Sequence, residues 1–252
     1  MFTEMMASNW VPYYKPSRNA ALRLFCFPYA GGGASFYRRW PCYLPESIEV
    51  CALQLPGRES RLAEAPCSEF RELVTEVTEV VAMAEMPFAF FGHSMGALLA
   101  FACARDVNLR YGKCPTRLFV SARRAPHVPP RQPMLWALPR PELIREVRQL
   151  EGTNDTVLAS PELMDVYLPA IRADFKVNDT VLEFTPESRL PCPITAFGGA
   201  FDPEISHREL STWSRYTTAE FSLNVFHGGH FYLREQSSYF FECLAGYCLG
   251  HG

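Results

Sequence analysis

The chain has 252 residues, 48% of them hydrophobic and 20% charged, with a formal net charge of −3. That is the composition of an ordinary globular protein with one substantial core, and a single domain over residues 1–252 is expected. The charge argues against general nucleic-acid binding, which needs an excess of Lys and Arg. No apolar run approaches the roughly 20 residues of a membrane helix.

Residues 1–10 carry Glu4 and no long apolar stretch, so no secretory leader is expected and a cytoplasmic location is. Nine cysteines, without a CxxC pair, read as free buried thiols; Cys26 in LRLFCF and Cys51 in VCALQL sit inside apolar runs.

The first candidate strand, 22–27, runs into Pro28-Tyr29-Ala30-Gly31-Gly32-Gly33. Backbone amides in such a run can hold an oxyanion, and Ala30, close behind the strand, is the candidate donor. A phosphate loop would need GxxxxGK[ST], and no Lys-Ser or Lys-Thr follows. A second strand is expected at 48–53, and residues 68–86 show helical spacing.

The third strand, 88–91, precedes Gly92-His93-Ser94-Met95-Gly96, and the helix-compatible stretch 97–111 follows. G-x-S-x-G alone is a weak signal, but strand–turn–helix is the setting of a nucleophile elbow. The sharp turn would present the Ser94 hydroxyl above the sheet, with Gly92 and Gly96 leaving room. The Met95 amide, at the new helix's positive end, is the second oxyanion candidate.

The fourth strand, 117–121, is followed by Arg123 and Arg124 rather than an acid. From 128 to about 190 no strand is read. Prolines 129, 130, 133, 139 and 141 open this region. One helix carries the stripe Leu143, Ile144, Val147, Leu150, with Gly152 as its stop. Another is capped by Ser160 with Pro161 at its first position. A helical insertion serving as a lid or chamber wall is expected.

After the fifth strand, 194–197, Gly198-Gly199-Ala200-Phe201-Asp202 supplies the candidate acid, with Glu204 as its rival. The sixth strand, 221–226, leads into His227-Gly228-Gly229-His230. His230 is the preferred base because two glycines let the loop swing back over the sheet; His227 is the competitor. HxxH spacing would also suit a metal pair, but no third ligand cluster accompanies it. Ser–acid–His is the chain order of hydrolases built on an α/β sheet. The apolar strands alternating with helices predict a mostly parallel sheet covered on both faces.

These residues describe an acyl hydrolase working through an acyl-enzyme, with no cofactor or metal required. They leave the leaving group open, since one triad cleaves thioesters and oxygen esters alike.

The segments FCFPYAGGGASFY, LQLPGRESR, FAFFGHSMG, LPAIRADF, FGGAFDP and GGHFYL, in this order, resemble the type II thioesterases of nonribosomal peptide and polyketide synthesis. They are also similar to the medium-chain acyl thioesterase of fatty acid synthesis. The resemblance implies an α/β-hydrolase fold, with Ser94 as nucleophile, Asp202 as acid, His230 as base, and oxyanion amides at Ala30 and Met95. It implies a lid beside a channel for the phosphopantetheine arm of an acyl or peptidyl carrier protein, and editing of stalled acyl groups in trans. A medium-chain fatty acyl carrier protein thioesterase, or a general carboxylesterase or lipase, is the alternative. A monomer without nucleic-acid or membrane partners is expected. Arg38, Arg39, Arg58, Arg61, Arg123 and Arg124 are candidate contacts for an acidic carrier protein.

Overall fold

The computed structural model describes residues 9–129, 134–180, 184–185, 188–235 and 237–250. Most of the N-terminal stretch expected to lack a leader lies outside them, as do Pro130 and Pro133. The strands are β1 (Leu22–Phe27), β2 (Ile48–Ala52), β3 (Phe88–His93), β4 (Leu118–Ser121), β5 (Ile194–Gly199) and β6 (Phe221–Phe226). The helices are α1 (Phe70–Ala82), α2 (Met95–Tyr111), α3 (Arg140–Gln149), α4 (Asp155–Ala159), α5 (Pro161–Asp179), α6 (His207–Ser211) and α7 (Ser238–Leu249).

The strands form one sheet in the order β2-β1-β3-β4-β5-β6, with every neighbouring pair parallel. Their continuous apolar character follows from burial on both faces. Phe25, Phe27, Phe90 and Val120 enter a core closed by α1 and α2. Leu24, Cys26, Phe91 and Phe119 enter a second, closed by α7 and the short turns at Ala34–Tyr37 and Trp40–Cys42. Each amphipathic helix turns one stripe inward; Leu73, Val74, Val77, Val80 and Val81 are the buried positions of α1.

β2 lies on one side of β1 and β3 on the other, so the winding reverses between them. A crevice opens at the carboxyl ends of strands at such a switch point. The glycine loop leaves β1 there, and Ser94 leaves β3 there.

The excursion between β4 and β5 is helical, as expected, and α3 to α5 enclose a small core of their own that includes Leu143, Val147, Ile171 and Phe175. The Ser160 side chain caps α5 by accepting from the Leu163 amide at 3.2 Å. Two details differ from the sequence reading. The short α4 was not expected, because five residues show too little periodicity to be read. Helix α3 stops at Gln149, and Glu151 rather than Gly152 takes the left-handed conformation, at φ 56°. Gly152 has another role: its carbonyl accepts from the Tyr29 hydroxyl and from Arg234 Nη2, each at 3.0 Å. Among the described residues, no helix is long and apolar enough to cross a membrane.

Phe91 is fully buried, with edge contacts to Trp40 at 4.9 Å and Phe240 at 6.2 Å between ring centroids. Phe91→Ala should therefore cost about 3–5 kcal/mol, read as a lowered urea midpoint.

Candidate active site

Ser94 caps α2 with φ 53° and ψ −117°, a region a side chain normally avoids at a cost of about 1–3 kcal/mol. Its surroundings hold it there. The Ser94 amide donates to the Ser121 carbonyl at 2.8 Å, and the Ser94 carbonyl accepts from Ala97 at 3.1 Å. A Cβ at Gly92 would overlap the Gly96 carbonyl, and one at Gly96 would overlap the Phe27 carbonyl. Met95 opens the helix, so its amide is among those without an intrahelical acceptor.

His230 Nδ1 donates to Asp202 Oδ2 at 2.9 Å, and the two side chains are 12% and 1% exposed. Asp202 Oδ1 accepts from the Glu204 and Ile205 amides at 2.8 and 3.2 Å, so the loop's own backbone orients the carboxylate. The Ala200 and Phe201 amides donate to the carbonyls of Phe226 and Gly228, tying the Asp202 loop to the His230 loop. Of the rivals, Glu204 supplies Asp202 with an amide. His227 points outward, 81% exposed and 4.0 Å from Glu235.

Two cavities meet at Ser94 and His230. The smaller, about 50 Å³, is apolar and includes Ala30, Val147, Leu150, Ile171, Phe175 and Phe231 in its lining. The larger, about 250 Å³, is mixed in character: Arg123, Glu146, Gln149, Asn178 and Asp179 line it together with Leu135, Leu150 and Phe175. Burial pushes the Asp179 carboxyl above the usual carboxylate range. The helical insertion thus walls both spaces beside the serine.

A buried ion pair fixes the loop that bears Ala30. Arg58 Nη2 donates to Asp174 Oδ1 at 2.8 Å, and Nη1 bonds Oδ2 of the same carboxylate. Asp174 Oδ2 also accepts the Gly31 amide at 2.7 Å, while Arg58 Nη1 donates to the Gly32 carbonyl at 3.3 Å. The side chains are 3% and 0% exposed. Gly31 adopts φ 78°, which glycine tolerates best.

This narrows the expectation that some of the loop arginines face a carrier protein, because four of the six are engaged inside. Arg58 is inside, and Arg61 is buried on Glu64, the Gln54 carbonyl and the Trp10 ring. Arg124 is buried, and half-buried Arg123 donates to Asn178 Oδ1 at 2.7 Å in the cavity wall. Desolvation there, with repulsion from Arg124, lowers the Arg123 pKa to about 10. Only Arg38 and Arg39 of the six are exposed. A planar guanidinium can satisfy several loop carbonyls and a carboxylate at once, and spacing in sequence does not show that use.

His93 was read only as part of the elbow motif. It is fully buried, and its Nδ1 lies 2.9 Å from Ser121 Oγ. Burial pushes its pKa well below the ordinary histidine range, helped by the nearby His230 and Arg234 charges.

Asp174→Ala would leave the Arg58 charge buried and the Gly31 amide without its acceptor. A loss of about 3–5 kcal/mol is expected in urea unfolding, together with slower turnover. For His93, the unfolded chain takes up a proton below about pH 6.5 and the folded chain does not. Stability is therefore full above that pH and falls by up to about 1.4 kcal/mol per unit below it. Urea titrations between about pH 5 and 7 should show this slope, and His93→Gln should reduce it.

Comparison with known proteins identifies the family. Residues 22–248 match the family model described as a Thioesterase domain. The chain is 42% identical over 229 residues to the gramicidin S biosynthesis protein GrsT of Aneurinibacillus migulanus, covering 90% of this chain and 89% of that one. It is 32% identical over 233 residues to the medium-chain S-acyl fatty acid synthase thioesterase of Anas platyrhynchos, covering 90% of each. The solved thioesterase RedJ, from the prodiginine pathway of Streptomyces coelicolor, superposes with a TM-score of 0.83 at 35% identity, covering 92% of this chain and 88% of RedJ. The type II thioesterase BorB, from the borrelidin cluster, also superposes at 0.83, with 36% identity and coverage of 95% and 96%. With a family model spanning most of its length and relatives this similar at nearly full coverage, the chain belongs to the Thioesterase domain family, among its type II thioesterases.

Proposed function

We propose that this protein hydrolyses acyl thioesters on the phosphopantetheine arm of acyl or peptidyl carrier proteins, clearing stalled or aberrant groups from a nonribosomal peptide or polyketide synthase. The observation that carries the reading is a strained Ser94 and an Asp202-paired His230 facing the same two cavities.

In this reading His230 takes the Ser94 proton as Oγ attacks the thioester carbonyl. Asp202 holds the imidazole tautomer and stabilises the imidazolium. The Ala30 and Met95 amides receive the developing oxyanion, a donor of this kind being worth about a hundred- to a thousandfold in rate. The thiolate leaves readily, since thiols ionise near pKa about 8.5, and takes the proton from the imidazolium, which returns His230 to its neutral form. Water activated by His230 then frees the serine. The polar side chains in the wall of the larger cavity, Gln149 and Asn178 among them, suit the amides of the arm, and the apolar cavity suits the acyl group. The helical insertion acts as the lid.

The relatives support the setting: GrsT by name belongs to gramicidin S biosynthesis, and RedJ to a prodiginine pathway. All nine cysteines are free, which suits a reducing cytoplasm.

The test is loss of acetyl from an acetyl-phosphopantetheinyl carrier protein, followed by mass spectrometry for wild type and Ser94→Ala. Wild type should unload the carrier and Ser94→Ala should not, while Asp202→Asn should lower kcat by about 10⁴-fold. An intact acyl carrier beside rapid cleavage of simple oxygen esters would make the protein a carboxylesterase instead.

A further inference from the structure

We propose that His93, Ser121 and Tyr232 form a buried hydrogen-bond chain that positions His230 against Ser94, an inference that rests on those two residues being base and nucleophile.

Ser121 ends β4 and is fully buried. Its carbonyl accepts the Ser94 amide at 2.8 Å. Its hydroxyl lies 2.9 Å from His93 Nδ1 and 2.7 Å from the Tyr232 hydroxyl. One residue therefore grips the nucleophile, the residue before it, and the residue two beyond the base. Tyr232 is held in turn, stacked on Phe226 at 5.4 Å and set edge-on to Phe240 at 6.0 Å. The imidazoles of His93 and His230 are 5.2 Å apart, and Phe231 packs on both, at 5.1 and 5.3 Å.

The chain has a direction. Tyr232 is buried, and burial keeps its phenol protonated. Its hydroxyl meets no other hydrogen-bond partner among the described residues, so its proton goes to Ser121 Oγ. The Ser121 proton then goes to His93 Nδ1, which places the His93 ring proton on Nε2. The reverse direction would strand the tyrosine proton and the Nε2 lone pair together. This one strands Nε2 alone, the one His93 atom buried without a partner. His93 stays neutral, and proton transfer is confined to His230. Serine and histidine sit on separate loops, so a link through β4 holds their spacing while the substrate changes shape. Catalytic rates fall steeply when reacting groups are misplaced by about 1 Å.

Three variants test the chain: Ser121→Ala, Tyr232→Phe and the double variant, assayed on acetyl-carrier protein at temperatures where circular dichroism shows them folded. Each single variant should lower kcat about tenfold or more with KM held within about twofold. The double variant should fall no more than about twofold below the worse single, because a broken chain cannot be broken again. Single variants with wild-type kcat, penalties that multiply in the double, or effects confined to melting temperature or KM would overturn the proposal. If Ser121→Ala does not fold, the cycle is run with Tyr232→Phe and His93→Phe, which keeps both rings. Ser94→Ala is assayed alongside. An active Ser94→Ala would defeat the catalytic reading itself, whereas a dead one beside unaffected chain variants defeats only the chain.

Discussion

The approach of the turn after Ser94 to the end of β1 is the constraint on which the site depends. Phe27 and Gly92 are partners across the β1–β3 pairing, and the next turn brings Gly96 against the Phe27 carbonyl. No side chain fits at that contact. The backbones touch there, and Ala30, on the loop after β1, and Ser94, at the start of α2, line one cavity. Ser94 can hold its costly dihedrals only because the pairing, the Ser121 carbonyl and the start of α2 over-determine them.

A second constraint joins the sheet to the insertion. The Arg58–Asp174 pair spans 116 residues and ties helix α5 to the segment after β2 and, through Gly31 and Gly32, to the loop after β1. Buried ion pairs are poor sources of net stability, because desolvation offsets most of the attraction. This pair does something an apolar substitute could not: Asp174 also accepts the Gly31 amide, and Arg58 also donates to the Gly32 carbonyl. The helical insertion and the glycine loop after β1 consequently share one anchor. Gly152 makes a lighter link of the same kind, its carbonyl taking donors from Tyr29 beside Ala30 and from Arg234 beyond His230.

Much of the fold was legible because the strands are short, apolar and punctuated. Residues 22–27 and 221–226 were read with the bounds they have, while β3 proved two residues longer because Gly92 and His93 keep pairing with Val120 and Ser121. Ser94, Asp202 and His230 were singled out from their strand-end positions and chain order; the fold pairs His230 with Asp202 and sets Ser94 and His230 in the lining of the same two cavities. The burial of the arginines was not legible. Arg58 and Arg61 carry the sequence signature of a basic surface loop, and their partners lie in the buried carbonyls and carboxylate that the loop folds around. His93, Ser121 and Tyr232 carried no signal, since a buried hydroxyl chain has no periodicity and no spacing of its own.

The sequence by itself determined the elements and their chemistry: which runs become strands, where the elbow turns, and which serine, acid and histidine are on offer. Those properties follow from near neighbours, through apolar runs, glycine tolerance and capping. Only the tertiary structure decided the strand order that opens a crevice between β1 and β3, the choice of Asp202 Oδ2 for His230 over its neighbours, and the burial of Arg58 on Asp174. Each of these is a pairing between residues far apart in the chain. It depends on desolvation and backbone approach in three dimensions, and no local pattern encodes either.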